Sequence, residues 1–152
     1  MVDVLNTPVG QMLTRIQQLS VVDAWYQSLD LDTRQKIIYF IQHDQLQKGL
    51  DGNGDIIGLY SIKTEQINPQ KVAGTPYTLY DTGKFYKSMN VEVFDDYFET
   101  LSDHIKQGIK RVDLYVKYGE EIVGLDDESL TNLSELLKEK YINYVDGILY
   151  GH

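Results

Sequence analysis

A chain of 152 residues suffices for one domain with a single core, and its 42% hydrophobic and 24% charged content is typical of a globular rather than a disordered protein. With 14 Lys and Arg against 23 Asp and Glu, the formal charge is −9, which argues against a nucleic-acid-binding surface because such surfaces are basic. The lack of cysteine excludes disulfides, a thiolate nucleophile and sulfur-based zinc sites, and it is typical of a reducing compartment.

The N-terminal sequence MVDVLNTPVG carries Asp3 but neither the basic nor the apolar region of a signal peptide. Nowhere do roughly 18 apolar residues follow one another, as a membrane-spanning helix requires. We therefore expect a protein that is cytosolic when made and that has no membrane span.

Helical signals open the chain. Thr7 followed by Pro8 is a favourable helix start, because a threonine hydroxyl caps free amides and proline needs no N–H in the first turn. At Ser20 two alternatives remain: Ser20 with Asp23 caps a new helix, or the first helix continues. The apolar residues expected on one face of the first helix are Met12, Ile16 and Leu19.

A stronger helix is predicted from Asp30 or Asp32 to Gly49, a residue suited to a left-handed C-terminal cap. Between Gly49 and Gly83, repeated glycines and two prolines interrupt every periodicity. This middle third is therefore predicted to be mostly loop. The apolar positions of the helix are Ile37, Ile38, Phe40, Ile41 and Leu46.

Residues 90–101 have the pattern of two short strands. Val91 and Val93 alternate with polar neighbours, which is typical of a half-buried strand. Asp95 and Asp96 suit a tight turn before the apolar pattern resumes. We predict an antiparallel β-hairpin here.

Two helices are predicted after the hairpin. Apolar residues between positions 105 and 116 fall at helical spacing, and Gly119 is suited to end that helix. The last helix begins near Asp126 or Asp127, whose carboxylates favour a helix N-terminus, and reaches Tyr150. The apolar positions are Ile105, Ile109, Val112 and Val116 in the first helix, and Leu130, Leu133, Leu137, Tyr141, Val145 and Ile148 in the last.

These elements predict an α+β fold in which a small antiparallel hairpin packs with amphipathic helices, with long helices at both ends. No repeat, low-complexity tract or linker divides the chain, so residues 1–152 are predicted to form a single domain. Residues 1–30 are its N-terminal helical segment. Residues 31–152 are its core, with the middle loop and the C-terminal helix.

The turn GLDGNGDIIGLY has some features of a calcium loop, because Asp51, Asn53 and Asp55 are spaced by two. Counted from Asp51, however, position six is Ile56 instead of glycine and position twelve is Ile62 instead of glutamate. The register that places a glycine sixth loses both main carboxylates. Two interpretations remain, a glycine-rich β-turn and a weak, partial cation site.

The three histidines, His43, His104 and His152, are far apart in sequence, and no pair has the spacing of metal ligands. His43 adjoins Asp44 and His104 adjoins Asp103, which is compatible with an acid–base pair or with a solvated surface. The sequence therefore assigns no catalytic residue, no metal ligand and no cofactor.

Acidic residues concentrate between positions 120 and 128. Those at 126–128 stand where the dipole of the last helix favours anions, which explains them without catalysis. The surplus negative charge can still steer this surface toward a basic partner. The five residues are Glu120, Glu121, Asp126, Asp127 and Glu128.

Twelve tyrosines are more than a small core needs, and a ring with an apolar body and a polar tip suits surfaces that become buried on association. We therefore expect contacts with partner proteins. Eight of the tyrosines cluster in three places: Tyr77, Tyr80 and Tyr86; Tyr115 and Tyr118; and Tyr141, Tyr144 and Tyr150.

The segment TLYDTGKFYKSMNVEVF resembles the small tailed-phage neck and tail-completion proteins, in which a Thr-Gly step is followed by an apolar or aromatic residue and then by a serine. The matching positions are Thr82, Gly83, Phe85 and Ser88. Glycine lets the chain reverse out of a loop, the Thr82 hydroxyl satisfies amides of the next turn, and Phe85 anchors that turn in the core.

Over residues 35–150, the order of elements is also similar to that of related proteins from phages of Bacteroides-type hosts. The resemblance implies a non-enzymatic virion protein that forms a ring with copies of itself at the head–tail junction. It implies portal, neck or tail proteins as partners, no membrane and no sequence-specific nucleic acid. The implied location is the virion, reached from the host cytoplasm during assembly. The expected interface residues are Tyr77, Tyr80, Thr82, Gly83, Phe85, Tyr86 and Ser88.

Two hypotheses from other classes stand beside this one. The first is a calcium-dependent binding module centred on the DGNGD turn at residues 51–55. The second is a small hydrolase that uses His43 or His104 with a nearby carboxylate.

Overall fold

The computed structural model describes residues 6–151, and this part of the chain has the predicted α+β fold: seven α-helices and two small antiparallel two-stranded sheets. The expectations about the N-terminal sequence around Asp3 and about His152 lie outside the described residues. A long helix ends the described chain, as predicted.

The N-terminal helical segment contains two helices. Helix α1 (Pro8–Gln17) has the predicted start, where the Gly10 amide donates to Oγ1 of Thr7 at 3.2 Å. Helix α2 (Val21–Ser28) begins anew, because the Asp23 amide donates to Oγ of Ser20. Of the two alternatives at Ser20, the structure therefore has the new helix.

Helix α3 (Leu31–Tyr39) is capped by Asp30, whose carboxylate accepts a hydrogen bond from the Thr33 amide at 2.9 Å. The predicted single helix then changes its winding, first to a π-helical turn over Phe40–Gln45 and then to a 3₁₀ turn over Leu46–Lys48. Gly49 ends it in the left-handed conformation, with φ at +74°, as predicted.

The middle third is mostly loop, as predicted, but it contains helix α4 (Ile62–Ile67), which the pattern did not indicate. Ser61 caps α4 by accepting from the Thr64 amide. The apolar residues at its two ends, Ile62 and Ile67, are exposed. The helix has no buried apolar stripe, which is the sequence pattern that would have predicted it. Helix α5 (Lys84–Lys87) follows the Thr-Gly step.

The predicted hairpin is present. Strands β1 (Asn90–Val93) and β2 (Phe98–Leu101) pair antiparallel. Val91 is buried in the core, whereas the turn that contains Asp95 and Asp96 is exposed. Strand β1 thus presents its alternate residues to the core, as the period of two requires.

The helix predicted over positions 105–118 is wrong. Strands β3 (Ile105–Lys106) and β4 (Val112–Asp113) form a second small hairpin, and only Leu114–Tyr118 is helical, as α6. Asp113 starts this helix, because its carboxylate accepts from the amides of Tyr115 and Val116. The apolar residues at helical spacing therefore belong to different elements, and Ile109 in the turn is fully exposed. Gly119 does end α6, as predicted.

Helix α7 (Asp127–Tyr150) starts as predicted, with Asp126 accepting from the Ser129 amide at 2.8 Å. Its expected apolar stripe is only partly buried. Leu133 is 2% exposed, but Leu130 is 46% and Tyr141 48% exposed. The packed face is rotated from the predicted one, since the buried Ser129 lies one turn before Leu133.

The core gathers side chains from α2, α3, the π-turn, α5, β1, α6 and α7. Buried Gln45 ties two parts of it together: its Nε2 donates to the Gly124 carbonyl at 2.8 Å, and its Oε1 accepts from the Asp126 amide at 3.1 Å. The start of α7 is thereby held against the π-turn. The buried apolar residues include Leu29, Ile37, Ile41, Leu46, Phe85, Val91, Ile122 and Leu133.

Candidate functional site

A cleft of about 650 Å³ opens between the Thr-Gly segment, residues 77–85, and the second hairpin. The middle loop contributes Tyr60 and Lys71, and helix α6 contributes Lys117 and Tyr118. The volume is in the range of roughly 300–1,000 Å³ that is usual for ligand sites. We call it the lysine cleft, after Lys71, Lys84, Lys106, Lys110 and Lys117, which line it.

One wall of the lysine cleft is a row of tyrosine rings. Tyr77 packs edge to face against Tyr60, with ring centroids 4.8 Å apart, and against Tyr118 at 5.9 Å. Tyr80 packs in the same manner against Tyr86 at 5.1 Å. Edge-to-face packing is the favoured arrangement of aromatic pairs, so the row forms a preorganised wall.

Five of the seven residues predicted to form an interface line this cleft, namely Tyr77, Tyr80, Thr82, Gly83 and Phe85. They differ in exposure. Tyr80 and Thr82 are exposed and Tyr77 is half-buried, whereas Phe85 is only 7% exposed and anchors the segment in the core. A direct contact with a partner is therefore open to Tyr80 and Thr82 rather than to Phe85.

Gly83 makes the predicted reversal of the chain. Its φ is +78°, in the left-handed region that favours glycine, and a Cβ there would lie 2.8 Å from Oη of Tyr80. The Lys84 amide donates a long bond of 3.4 Å to Oγ1 of Thr82, in the role predicted for the threonine. The step thus brings the chain from the tyrosine wall into α5.

The other two predicted interface residues, Tyr86 and Ser88, do not line the cleft but form hydrogen bonds that hold the Thr-Gly segment in place. Buried Tyr86 donates its hydroxyl to the Thr78 carbonyl, and burial raises the pKa of this phenol. Ser88 donates to the Phe85 carbonyl and accepts from the Asp103 amide, both at 2.8 Å. These bonds hold the Thr-Gly segment against the chain that leaves the first hairpin.

Two carboxylates face the five lysines. Asp81 pairs with Lys71 at 3.3 Å and with Lys106, and the hydrogen bond from Lys106 is the main cause that lowers the pKa of Asp81. Asp103 pairs with Lys84 at 3.3 Å. Because the lysines outnumber the aspartates, the cleft carries positive charge in a protein that is acidic as a whole.

In the described part of the chain, the other two lysines of the cleft, Lys110 and Lys117, have no carboxylate partner. Lys117 lies over the Tyr118 ring, 4.9 Å from its centroid, and the hydrogen bond with Tyr118 raises the pKa of this amine. Within residues 6–151, Lys110 takes part in no hydrogen bond or ion pair. Both ammonium groups are available to an anionic group that enters the cleft.

The sequence interpretation missed these lysines, because residues 105–118 were expected to form one helix. In such a helix, spacings of four and seven residues would put Lys106, Lys110 and Lys117 on one stripe, on the order of 16 Å long, rather than around a cleft. The signal that could have grouped them is Gly108 between Lys106 and Lys110, which is typical of a turn. Lys71 comes from the distant middle loop, and only tertiary packing brings it to the site.

His43 and His104 do not line the lysine cleft. His43 stacks on Tyr39, with ring centroids 4.4 Å apart. His104 stacks on Tyr115 at 4.0 Å, and its Nε2 lies 3.9 Å from the Asp113 carboxylate rather than close to Asp103. Asp113 also caps α6. The contacts of His104 with Asp113 and Tyr115 therefore explain its position without a catalytic role.

The DGNGD segment is a tight turn. Oδ1 of Asp51 accepts from the amides of Asn53 and Asp55, at 2.8 and 3.0 Å, and the Gly52 amide donates to the Glu121 carbonyl. This geometry agrees with the β-turn interpretation. In the part of the chain that the structure describes, no group of three His, Cys, Asp or Glu side chains converges to hold a metal ion.

Comparisons with protein-family models, with curated proteins and with solved structures found no significant match. Among the helices of residues 6–151, none combines the length and the apolar character needed to cross a membrane. The functional proposal below therefore depends on the residues themselves and on the resemblance of the Thr-Gly segment.

Proposed function

We propose that this protein is a non-enzymatic structural subunit of a tailed-phage virion, which forms a ring with copies of itself at the head–tail junction. It acts through protein–protein interfaces with portal, neck or tail proteins, after synthesis in the host cytoplasm. The observation that carries the proposal is an apolar surface on α1 that nothing in the described chain covers.

Helix α1 is packed on one side only. Arg15 donates to the Leu149 carbonyl at 2.7 Å, which places α1 against the end of α7. Val9, Leu13 and Ile16 recur at intervals of four and three residues, so they share one face, and they are 66%, 50% and 46% exposed. Contiguous exposed apolar residues of this kind mark interaction sites.

Two further apolar side chains are exposed on elements that are distant from α1 in the sequence. Ile109, in the turn of the second hairpin, and Val116, on α6, are both almost fully exposed. Rings close through heterologous contacts, in which two different surfaces of a subunit meet. Exposed apolar side chains on α1 and on the part of the chain from the second hairpin to α6 provide two different regions for such a contact.

The resemblance of Thr82, Gly83, Phe85 and Ser88 to the phage neck and tail-completion proteins adds the location. The reversal at Gly83 and the burial of Phe85 agree with what these residue types predict at this step. The exposed Tyr80 lies beside this step and suits a contact that becomes buried on assembly.

Sedimentation velocity and negative-stain microscopy of the purified protein test the proposal, with and without phage particles. We expect ring-sized oligomers and co-sedimentation with particles for the natural protein. Leu13→Asp with Ile16→Asp should reduce both while the far-UV circular dichroism stays unchanged, because these side chains are exposed.

Gln11→Asp is the matched control, since it adds a charge at an exposed polar position of the same helix and should leave assembly unchanged. A monodisperse monomer that also fails to bind any virion protein would contradict the proposed function.

A further inference from the structure

We propose that the lysine cleft receives the acidic, aromatic turn Phe94–Tyr97 of a second copy of this chain. The inference rests on the proposed ring assembly and adds a charged contact between neighbouring subunits to the apolar one proposed at α1. The proposed occupant is a polypeptide turn that carries carboxylates and aromatic rings.

Charge favours this occupant. Five of the chain's fourteen Lys and Arg line one cleft, so the rest of the surface is more acidic than the total charge of −9 indicates. Two copies repel each other in most orientations. The exception is an orientation in which the cleft of one copy meets carboxylates of the other, and such complementarity selects register and speeds encounter.

The turn of the first hairpin offers the complementary groups. Asp95 and Asp96 are both exposed at its tip. Asp95 accepts a bond from the Tyr26 hydroxyl at 2.8 Å, while Asp96 takes part in no hydrogen bond or ion pair among residues 6–151. Tyr97 is 48% exposed and stacks on Phe94, with ring centroids 4.6 Å apart.

The cleft and the turn carry complementary groups, cations opposite carboxylates and aromatic rings opposite aromatic rings. Among residues 6–151, Lys110 and Lys117 have no carboxylate partner, and Asp96 has no cationic one. The stacked pair of the turn would meet the tyrosine wall of the cleft, where aromatic rings prefer offset or edge-to-face contacts. Aromatic residues are enriched at interface cores, and charged pairs at the rim set specificity.

The positions of the two surfaces favour a ring. Asp103 lines the cleft, and its amide donates to Oγ of Ser88. Ser88 comes just before β1 and Asp103 just after β2, so the start of β1 and the end of β2 both lie near the cleft. The turn is at the opposite end, separated by four extended residues or on the order of 10 Å. A turn-to-cleft contact is therefore heterologous, and a heterologous contact can repeat around a ring.

The other acidic stretch, residues 120–128, fits less well. It begins two residues after Tyr118, so it lies next to the cleft of its own subunit. Asp126 is already engaged in capping α7, and its neighbours lie in the first turn of that helix. A contact between this stretch and a second cleft would bring two like surfaces together and would close as a dimer.

Charge reversal tests the inference in the full-length protein. Asp96→Lys and Lys110→Glu alter the two unpaired groups, so neither removes a bond within the subunit. Each variant alone should self-associate at least about tenfold more weakly, because like charges then meet at every contact. An equimolar mixture should regain association, since each variant then supplies the charge that the other needs.

Lys138→Glu and Glu139→Lys are the matched controls. They make the same charge changes at exposed positions of α7, outside the cleft and the turn, and should leave association unchanged. Association of the natural protein should also weaken as salt rises. Analytical ultracentrifugation measures all of these constants, and circular dichroism confirms the fold of each variant.

Three results would overturn the inference. The first is a natural protein that stays monomeric yet sediments with phage particles, which would leave the proposed virion role standing but not the ring. The second is association that neither reversal weakens, or that the mixture does not restore. The third is that the protein binds inorganic phosphate or ATP, that Lys110→Glu abolishes this binding, and that the bound anion does not change self-association. The cleft would then be a site for small anions. Self-association through the cleft with no binding to particles would instead count against the proposed function alone.

Discussion

Gln45 and Thr33 are two buried polar side chains that differ in how well their hydrogen-bonding groups are paired. Gln45 is fully buried and has partners for both its amide nitrogen and its amide oxygen. Thr33 is equally buried, but within residues 6–151 its hydroxyl makes no hydrogen bond of normal geometry, and only a weak interaction with the Asp30 carboxylate helps to lower the pKa of that group. A buried polar group stabilises the fold when it is paired and costs free energy when it is not.

Thr33→Val is therefore expected to raise the free energy of unfolding by about 1 kcal/mol, because it replaces an unpaired hydroxyl by a methyl group of the same shape. Urea unfolding followed by circular dichroism measures the change. Thr33→Ser keeps the hydroxyl and removes the methyl group, so this control should be less stable than the natural protein. A Thr33→Val variant that is also less stable would show that the hydroxyl has a partner.

Adding a side chain to a glycine with positive φ costs backbone strain, and it also costs a steric clash where neighbouring atoms are close. Comparing Gly49 with Gly54 separates these two costs. Both have φ near +75°, but a Cβ at Gly49 would lie 2.2 Å from Cβ of Pro76, whereas nothing lies within 4 Å of one at Gly54. Gly54→Ala should lower the free energy of unfolding by about 1 kcal/mol through backbone strain alone.

Gly49→Ala should cost about 3 kcal/mol or more, since the clash with the loop at Pro76 adds to that strain. Denaturant midpoints of the two variants give the comparison, and Gly54→Ala serves as the control. Equal losses would mean that the Pro76 loop moves away without cost.

At the scale of helices, local caps decided the boundaries that the sequence predicted well. Thr7, Ser20, Asp30 and Asp126 each accept a hydrogen bond from an amide three residues further on. A cap of this kind depends on sequence neighbours alone, and for this reason it can be predicted. Asp113 is also a cap, but apolar residues at helical spacing on both sides of it concealed this role.

Asp30 joins two helices as well as capping one. Its carboxylate accepts from Nζ of Lys140 at 2.7 Å, and this bond, followed by that from the Thr33 amide, lowers the pKa of Asp30 from 3.8 to about 2. A lowered carboxyl pKa means that its contribution to stability is present above pH 3.8 and is lost as the pH falls toward 2. The start of α3 is thereby tied to α7.

Asp30→Asn should lower the free energy of unfolding near pH 7 by about 1 kcal/mol, because an exposed ion pair is screened and an asparagine still caps the helix. Its stability should also fall less steeply than that of the natural protein between pH 4 and 2. Thermal melts across this pH range measure both effects. Glu139→Gln, next to Lys140 on an exposed position, should keep the natural pH dependence.

At the scale of the whole molecule, the N-terminal segment is bonded to two distant parts of the chain. The Ser20 amide donates to the Tyr144 hydroxyl of α7 at 3.1 Å, and Nε1 of Trp25 donates to the Phe94 carbonyl at 2.6 Å. Trp25 also packs against the core. These contacts favour the prediction that residues 1–30 and 31–152 belong to one domain.

One cooperative transition is expected on unfolding. Trp25 is the only tryptophan, so its fluorescence reports the junction of α2 with the first hairpin, while circular dichroism reports all helices. In a single domain of this size, both signals should give the same denaturant midpoint. Near-ultraviolet dichroism of the tyrosines provides a third probe. A fluorescence midpoint at lower denaturant would show that the N-terminal segment unfolds separately.

The sequence by itself determined the elements whose signals are local. Caps, the reversal at Gly83, the left-handed end at Gly49 and the alternation at Val91 and Val93 depend on neighbours in the chain, and all are present in the structure. The α+β class followed from them. The Thr-Gly segment was likewise identified in advance as a candidate surface, since its composition is unusual on its own.

Only the tertiary structure decided which faces are buried and which side chains meet. Leu130 and Leu133 have the same residue type, yet only Leu133 faces the core, because the position of α7 on its neighbours sets its rotation. The lysine cleft joins Lys71 from the middle loop with Lys110 from the second hairpin. Their proximity depends on long-range packing, which periodicity along the chain does not encode.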